Sequence, residues 1–542
     1  MDVVEKRPHC INLVVYEVFM RFIRLFVVLS AASACLAAER PNILVVMVDD
    51  MGFSDVGCYG GEIRTPNLDN LAENGIRYTA MHNTAKCYPS RASLMTGVYF
   101  QRTDREFSNT ATIGEVLRPV GYHTFWSGKH HAKFIPTTRG FDRFYGLVGG
   151  ACNFWNPGGT PRPGETEAAR KSSASWVVDG EFQKDYSPQD KNWYATDAIT
   201  DTALKWLKET DDGKPFFLYL AYTAPHYPLH AWPEDIAKYK GIYDGGYDAI
   251  REARYKRQLE MGLFDAETAP LSEATPKVPW NELSPEEKKK EIRRMEIYAA
   301  MIDRVDQNLG RVFDHLKATG KFENTLVLFL SDNGACAQQP TKFKGDTSGE
   351  MGGVNSFPTV GPSWANVSNT PFRFYKQDSY EGGINTPMIA HWPKGIRQQG
   401  VFCREACHLI DLMPTCMELA AAAYPGESPT PDVKPPDGVS LVPTFSGDVL
   451  KRAKPLFWEF GGGAAVQEGR MKLVRKKKWE LYDLSKDRTE TVNLAFQRPE
   501  LAAKMEADWN AWFTECSGED FADAKARREA AKKAKKKRKG GA

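Results

Sequence analysis

The 542-residue sequence predicts an α/β fold: a large, mixed, mostly parallel sheet sandwiched by helices, with a smaller C-terminal α+β module. Three observations predict it. Several short runs are continuously apolar, the pattern of strands covered on both faces. A long amphipathic stretch at helical spacing lies between two of these runs, and such alternation gives a wound sheet. After the Pro-rich connection "SPTPDVKPPDGVS" (Ser428–Ser440) the texture changes to short strand-like runs and a closing helix.

Taken in chain order, the first element is a leader. From Met20 the chain carries Arg21 and Arg24, an apolar run Leu25–Leu29, and small residues up to Ala38. That positive, apolar, small order is an export signal. Residues 1–38 are therefore expected to be removed, with Met20 as the start, giving a periplasmic or extracellular protein. Cys35, after Ala-Ser-Ala, leaves a lipoprotein as the alternative. No run in the rest of the chain approaches the roughly 20 apolar residues that span a bilayer.

In "PNILVVMVDDMG" (Pro41–Gly52), Ile43 to Val48 reads as a central strand that ends in Asp49 and Asp50. "TPNLDNLAENG" opens a helix with Thr65 as cap and Pro66 in the first turn. "KPFFLYLAYTAPH" (Lys214–His226) is a second strand. Met295, Tyr298, Ala299, Ile302, Val305, Leu309, Val312 and Leu316 mark one face of a helix. "ENTLVLFLSDNG" (Glu323–Gly334) is a third strand, and "NTPMIAHWP" (Asn385–Pro393) a further short one. The main domain is expected over 39–435, and the small module, with "PLFWEF" and "RMKLVRKKKWELYDL", over 436–516. Residues 517–542 form a basic low-complexity tail. There are no internal repeats.

Net charge is +2, but Lys525–Ala542 carries ten basic residues and one acid, so the tail holds +9 and the remainder −7. The tail reads as a solvated extension; an anionic surface or polymer suits it better than nucleic acid. Ten cysteines, two of them in the leader, are too few for a disulfide scaffold, and the absence of any CxxC pair removes zinc-ribbon and thioredoxin readings.

In open α/β sheets, sites form outside the carboxyl ends of the strands. Asp49 and Asp50 end one run, Asp332 and Asn333 another, and His226 follows a third. If those strands are neighbours, three carboxylates and an amide meet. One Asp pair alone would read as a turn cap; the second oxygen cluster points to a metal. An all-oxygen set without nearby imidazole suits Ca²⁺ or Mg²⁺ and disfavours Zn²⁺. In "AKCYPSRASLMTG" (Ala85–Gly97), Cys87 precedes Pro89 at a helix start, where the N-terminus lowers a thiol's pKa, and Arg91 adds a cation. "SGKHHAK" supplies Lys129, His130 and His131. "TAPHYPLHAW" supplies His226 and His230, and "FYKQDSYEGG" supplies Lys376. Singly these are ordinary core or surface residues; together they suit a tetrahedral oxyanion.

"CYPSRASLMTG" resembles the sulfatase signature C-x-P-S-R followed by a small-residue helix and T-G. "ILVVMVDDMG", "SGKHHAK", "APHYPLHAW", "LFLSDNG" and "FYKQDSYEGGINTPMIAHWP" follow in that family's order. The resemblance spans roughly Pro41–Ala495, and Asn369–Pro393 looks most like the arylsulfatase branch of this alkaline-phosphatase-like superfamily. It implies a sulfuric ester hydrolase acting on an aryl sulfate or sulfated saccharide. A maturation enzyme would oxidise Cys87 to formylglycine, an aldehyde whose hydrate attacks sulfur. One Ca²⁺ would be held by Asp49, Asp50, the modified Cys87, Asp332 and Asn333. Arg91 and Lys129 would hold the formylglycine, and His131 would assist sulfate release. Lys129, His226 and Lys376 would contact the sulfate, with His226 and Lys376 as candidate donors to the leaving oxygen. Two departures stand out. His130 and Ala132 replace the family's common aromatic and leucine, and "EFGGGAAVQEG" (Glu459–Gly469) lacks the usual charged pattern.

Two other readings remain beside it: a phosphate or phosphonate ester hydrolase on the same scaffold, and a non-catalytic binder of sulfated polysaccharide. Two-zinc relatives place a His after the strand-end Asp and use Ser or Thr as nucleophile, whereas this chain has Asn333 and Cys87. Intact Cys87, Arg91, Lys129, His131 and Lys376 speak against a decayed site. Residues 152–192 and 233–290 are the expected substrate loops.

Overall fold

The computed structural model describes residues 40–172, 174–178, 180–274, 279–425, 433–528 and 530. The leader with Cys35 and the end of the basic tail lie outside these residues. Among them, eleven strands form one sheet: β1 (Asn42–Val48), β2 (Ile76–His82), β3 (His123–Gly128), β4 (Arg143–Leu147), β5 (Trp176–Val178), β6 (Glu181–Gln183), β7 (Phe216–Ala221), β8 (Thr325–Ser331), β9 (Asn385–His391), β10 (Val401–Cys403) and β11 (Cys407–His408). The order is β10-β2-β9-β8-β1-β7-β3-β4-β5-β6, with β11 also on β2. The centre, β8-β1-β7-β3-β4, is parallel, whereas β9 runs antiparallel to both β8 and β2. A mixed, mostly parallel sheet is what the apolar runs predict.

The continuous apolar character of β1 has a direct cause. Leu44, Val46 and Val48 enter one core, and Ile43, Val45 and Met47 enter the other. We label five helices: α1 (Pro66–Glu73), α2 (Cys87–Thr96), α3 (Ala195–Glu209), α4 (Pro285–Ala318) and α5 (Pro499–Ser517). Helices α3 and α4 cover the first face, with Trp206, Met295, Tyr298, Ile302 and Leu309 buried; α2 covers the second through Leu94 and Met95. Ser284 and Glu287 form a reciprocal capping box at the start of α4, with Pro285 in the first turn.

Thr65 stands at the N-cap of α1 but does not cap it. Its hydroxyl accepts from Gly57 N at 2.9 Å and donates to Asp69 at 3.1 Å. The orphan amides of Asn67 and Leu68 donate instead to the Asp306 carboxylate on α4, at 3.2 and 2.9 Å. A tertiary contact has taken over the role expected of a local one.

A second, antiparallel sheet follows: β12 (Leu456–Phe460), β13 (Gly463–Glu468), β14 (Met471–Arg475) and β15 (Trp479–Asp483). It packs on α5 through Trp458, Leu473, Leu481, Trp509 and Phe513. The residues just after the Pro-rich connection belong elsewhere: Leu441, Phe445 and Leu450 lie in the core under the large sheet. The small sheet is fastened by a buried ionic cluster. Lys472 Nζ is 2.7 Å from both Glu381 and Glu490, Arg488 pairs with Glu381, and His82 Nε2 lies 3.3 Å from Glu381. Buried charges are tolerated only when paired in this way.

Candidate active site

The parallel ladder of β1 and β8 ends on the pair Val48↔Ser331. The residues that follow, Asp49 and Asp332, therefore leave the sheet side by side, and Asp332 N donates to Val48 O at 3.1 Å. On the other flank, Asp49 N donates to Ala224 O at 3.0 Å, which ties the loop after β7, with His226, to the same rim. Asp50 takes a left-handed backbone, φ +70°, a conformation Asp tolerates better than most residues. Its amide donates to Asp332 Oδ1 at 3.3 Å, and Asn333 Nδ2 donates to its Oδ1 at 2.7 Å.

Three buried cations neutralise the acids. Lys129, just past β3, donates to Asp49 Oδ2, and Lys376 donates to Asp50 Oδ1. Arg91 reaches Asp332 Oδ2 through Nε at 3.1 Å and a terminal nitrogen at 2.8 Å. Cys87 opens α2 and is almost fully buried, at 2% exposure. Arg91 follows it by four residues, so both project from one face of the helix. The loop into Cys87 is held from two sides: Trp458 Nε1 of the small sheet donates to Asn83 O at 2.8 Å, and Gln377 N donates to Ala85 O at 2.8 Å.

After these pairings, Asp49 Oδ1, Asp50 Oδ2 and Asn333 Oδ1 remain buried with no hydrogen-bond donor. Buried oxygens are ordinarily satisfied, and leaving one unmade costs about 1–3 kcal/mol. Three such oxygens on the residues that end β1 and β8 fit a hard cation. Ligand atoms of Asp49, Cys87 and Asp332 lie within 4.8 Å of one another, as do those of Asp49, Asp50 and His226. The second group corrects one expectation: an imidazole does border the oxygen set, because the loop after β7 folds back over β1.

Burial works to raise Asp50, but Lys376, His226 and Lys129 overcome it and hold the carboxyl well below the usual range. Burial and the neighbouring Asp49 push Asp332 up, against Arg91. Burial takes His226 down to about 3, with Lys376 adding to it and Asp50 opposing. His226 is thus a neutral imidazole. Its Nδ1–H donates to Tyr227 O at 2.6 Å, and its Nε2 lone pair faces Asp50 Oδ2 at 3.4 Å.

A cleft of about 470 Å³ opens over Cys87 and is lined by Lys86, Tyr88, Arg105, His131, His226 and Tyr227 among others. Arg91, Lys129 and Lys376 lie below it, fully or almost fully buried. His131 has φ +61° and lies 5.8 Å from the Tyr88 ring; burial, then Lys129 and Arg105, keep it neutral. His130 points the other way. It sits edge-on to Trp126 and Phe134, at 5.0 and 4.7 Å, in a slot that suits an aromatic side chain. His230 is a structural residue whose ring contacts Phe154 N and Ser356 O.

Lys86 and Tyr88 flank Cys87 and could have been singled out from the sequence; Arg105 carries no local signal. The β12–β13 turn reaches the cleft wall, with Phe460 at 6.3 Å from Tyr88 and Glu459 paired to Arg528 at 2.6 Å. Of the expected loop 152–192, Cys152, Asn153 and five residues from Arg170 to Ser175 line the cleft, whereas no described residue of 233–290 does. That segment is drawn away because Arg254, buried, pairs with Asp55 at 2.6 Å and Glu62 at 2.7 Å. A larger cavity, about 1060 Å³, lies between Leu259–Ala269 and the small sheet. It contains none of the strand-end residues, so the smaller cleft is the chemical site.

A family model described as Sulfatase matches residues 41–422. An uncharacterised sulfatase of Schizosaccharomyces pombe is 33% identical over 87% of this chain and 93% of its own length. An arylsulfatase of Klebsiella aerogenes is 33% identical over 76% of this chain and 94% of its own. The crystal structure of Ps i-CgsB in complex with k-i-k-neocarrahexaose superposes with a TM-score of 0.62, at 25% identity over 88% of this chain and 93% of that one. With a model matching most of its length and relatives a third identical along it, the chain belongs to the sulfatase family and is a sulfuric ester hydrolase.

Proposed function

We propose that this hydrolase works with a formylglycine made from Cys87 by a maturation enzyme and with one Ca²⁺, on a sulfated saccharide or aryl sulfate, outside the cytoplasm. The observation that carries the reading is the position of Cys87, at a helix start with its sulfur within 4.8 Å of ligand atoms of the strand-end acids Asp49 and Asp332. Asp49, Asp50, Asp332, Asn333 and residue 87 would hold the ion. When present, Ca²⁺ supplies a Lewis acid for sulfate oxygens, and the oxidised residue supplies a paired hydroxyl, one for attack and one for release.

The chain's own side chains do the remaining work. The N-terminus of α2 presents free amides that favour an anion beside residue 87. Lys129 and Lys376 hold two ammonium groups at the cleft floor, where they neutralise acids at rest and offer hydrogens to sulfate oxygens. Arg91 fixes Asp332 under the same floor and keeps it from turning away. His226, neutral in the free protein, takes up a proton as the anionic ester arrives and delivers it to the leaving oxygen. His131, also neutral, is placed to accept a proton when sulfate departs. The solved complex of Ps i-CgsB with k-i-k-neocarrahexaose favours a saccharide substrate. The export signal and basic tail fit a protein that meets anionic polymer outside the cell.

Matured protein assayed for sulfate release on a panel of sulfated saccharides and an aryl sulfate tests this reading. Release by the wild type, abolished in Lys129→Ala and Lys376→Ala, is expected. Release that persists in Cys87→Ala contradicts it.

A further inference from the structure

The cleft over Cys87 has an unusual charge balance. Its lining includes Lys86, Arg105, Arg170 and Lys171, and no aspartate or glutamate among the described residues. Arg170 is neutralised by Glu167. Arg105 has no carboxylate partner among the described residues. Its neighbours in sequence are engaged elsewhere: Asp104 accepts from Glu106 N and Ser108 N, and Glu106 faces Lys133 at 3.5 Å. Its guanidinium stacks on Tyr88 at 4.4 Å, and its Nε is buried with no hydrogen-bond partner. Tyr88 follows Cys87, so Arg105 stands one aromatic ring away from the reacting residue.

A stacked guanidinium is held in orientation while its fork of donors stays free, which is the arrangement that takes a carboxylate or sulfate by two hydrogen bonds. A surface arginine of no function would ordinarily be solvated or paired; here it is half-buried, pre-oriented and unmatched.

We propose that the cleft accepts an ester with a second anionic group beside the scissile sulfate, a polyanionic saccharide, and that Arg105 is the specificity-determining residue that receives that group. The proposal rests on the cleft being the sulfate-ester site. The scissile sulfate occupies the floor above Lys129 and Lys376, and the second anion lies against the Tyr88–Arg105 wall. Lys171 at the rim adds attraction without fixed geometry.

Kinetics of the matured full-length protein test this with four esters: a hexose monosulfate, a disulfate of the same hexose, a monosulfated uronic acid, and an aryl monosulfate. The wild type is expected to favour the two dianions over the hexose monosulfate by about tenfold or more in kcat/KM, a preference that shrinks as salt is raised. Arg105→Gln should collapse that ratio, acting on KM more than kcat, and Arg105→Lys should restore part of it. A greater effect on the uronate than on the disulfate would identify a carboxylate as the second group, and the reverse a sulfate. Lack of preference in the wild type overturns the proposal, as does an equal loss on all four esters in a folded Arg105→Gln protein. Failure to release sulfate from any ester overturns the hydrolase reading itself, and this proposal with it.

Discussion

Asp49 and Asp332 leave adjacent parallel strands on the same rung, because the ladder between β1 and β8 closes on Val48 and Ser331. Their carboxylates share Arg91, which lies 2.8 Å from Asp332 and 3.9 Å from Asp49. Strand register thus builds the floor of the site, and α2 then sets Cys87 above it.

The metal prediction follows from the donor-less oxygens. Elemental analysis of purified protein should find one equivalent of calcium. Asp332→Asn should lose metal and activity together while staying folded. Alanine is the poorer probe, since it removes both hydrogen bonds between Arg91 and Asp332, and breaking a buried ion pair in this way costs about 3–5 kcal/mol. Two equivalents of zinc, with activity restored only by zinc, would refute the assignment.

His226 is expected to act at the leaving group. General acids contribute about 10² to 10⁴ in rate, and most when the leaving oxygen is a poor one. His226→Ala should therefore slow sugar-alcohol sulfates far more than phenolic sulfates. An equal loss across leaving groups would make the residue structural, a support for Tyr227 and Asp50 only.

His130 predicts a pH effect on stability. Burial among Trp126, Phe134 and Phe144 holds its pKa at about 3, and neither ring nitrogen has a partner. The unfolded chain, with the ordinary value near 6.5, binds a proton that the folded chain does not. Stability is therefore lost as pH falls below about 6.5, by about 2 kcal/mol at pH 5. His130→Phe fills the slot without a titrating group. It should raise the melting temperature, and raise it more at pH 5 than at pH 7.5. An unchanged difference between the two pH values would contradict the argument.

The sequence was legible where chemistry is local. The apolar runs became central strands because both faces are covered. The acids at their ends fell together because β8, β1 and β7 are neighbours. Cys87 and Arg91 were legible because helical spacing alone puts them on one face. What was hidden depends on partners far away in the chain. Asp306 caps α1 across some 240 residues, and Trp458 supports Asn83 across 375. No periodicity announces such contacts. Arg105 was invisible for the same reason: its meaning comes from stacking on Tyr88 and from the acids that fail to reach it.

The most direct test is the mass of the tryptic peptide Cys87–Arg91 from an active preparation. Formylglycine at residue 87, in proportion to specific activity, is the predicted result. The reason is mechanistic: a thiol offers no second hydroxyl to expel sulfate. A Cys87→Ser protein from a host that does not convert serine should release at most one equivalent of alcohol per site. Full, repeated turnover by protein whose residue 87 is unmodified cysteine would contradict the account.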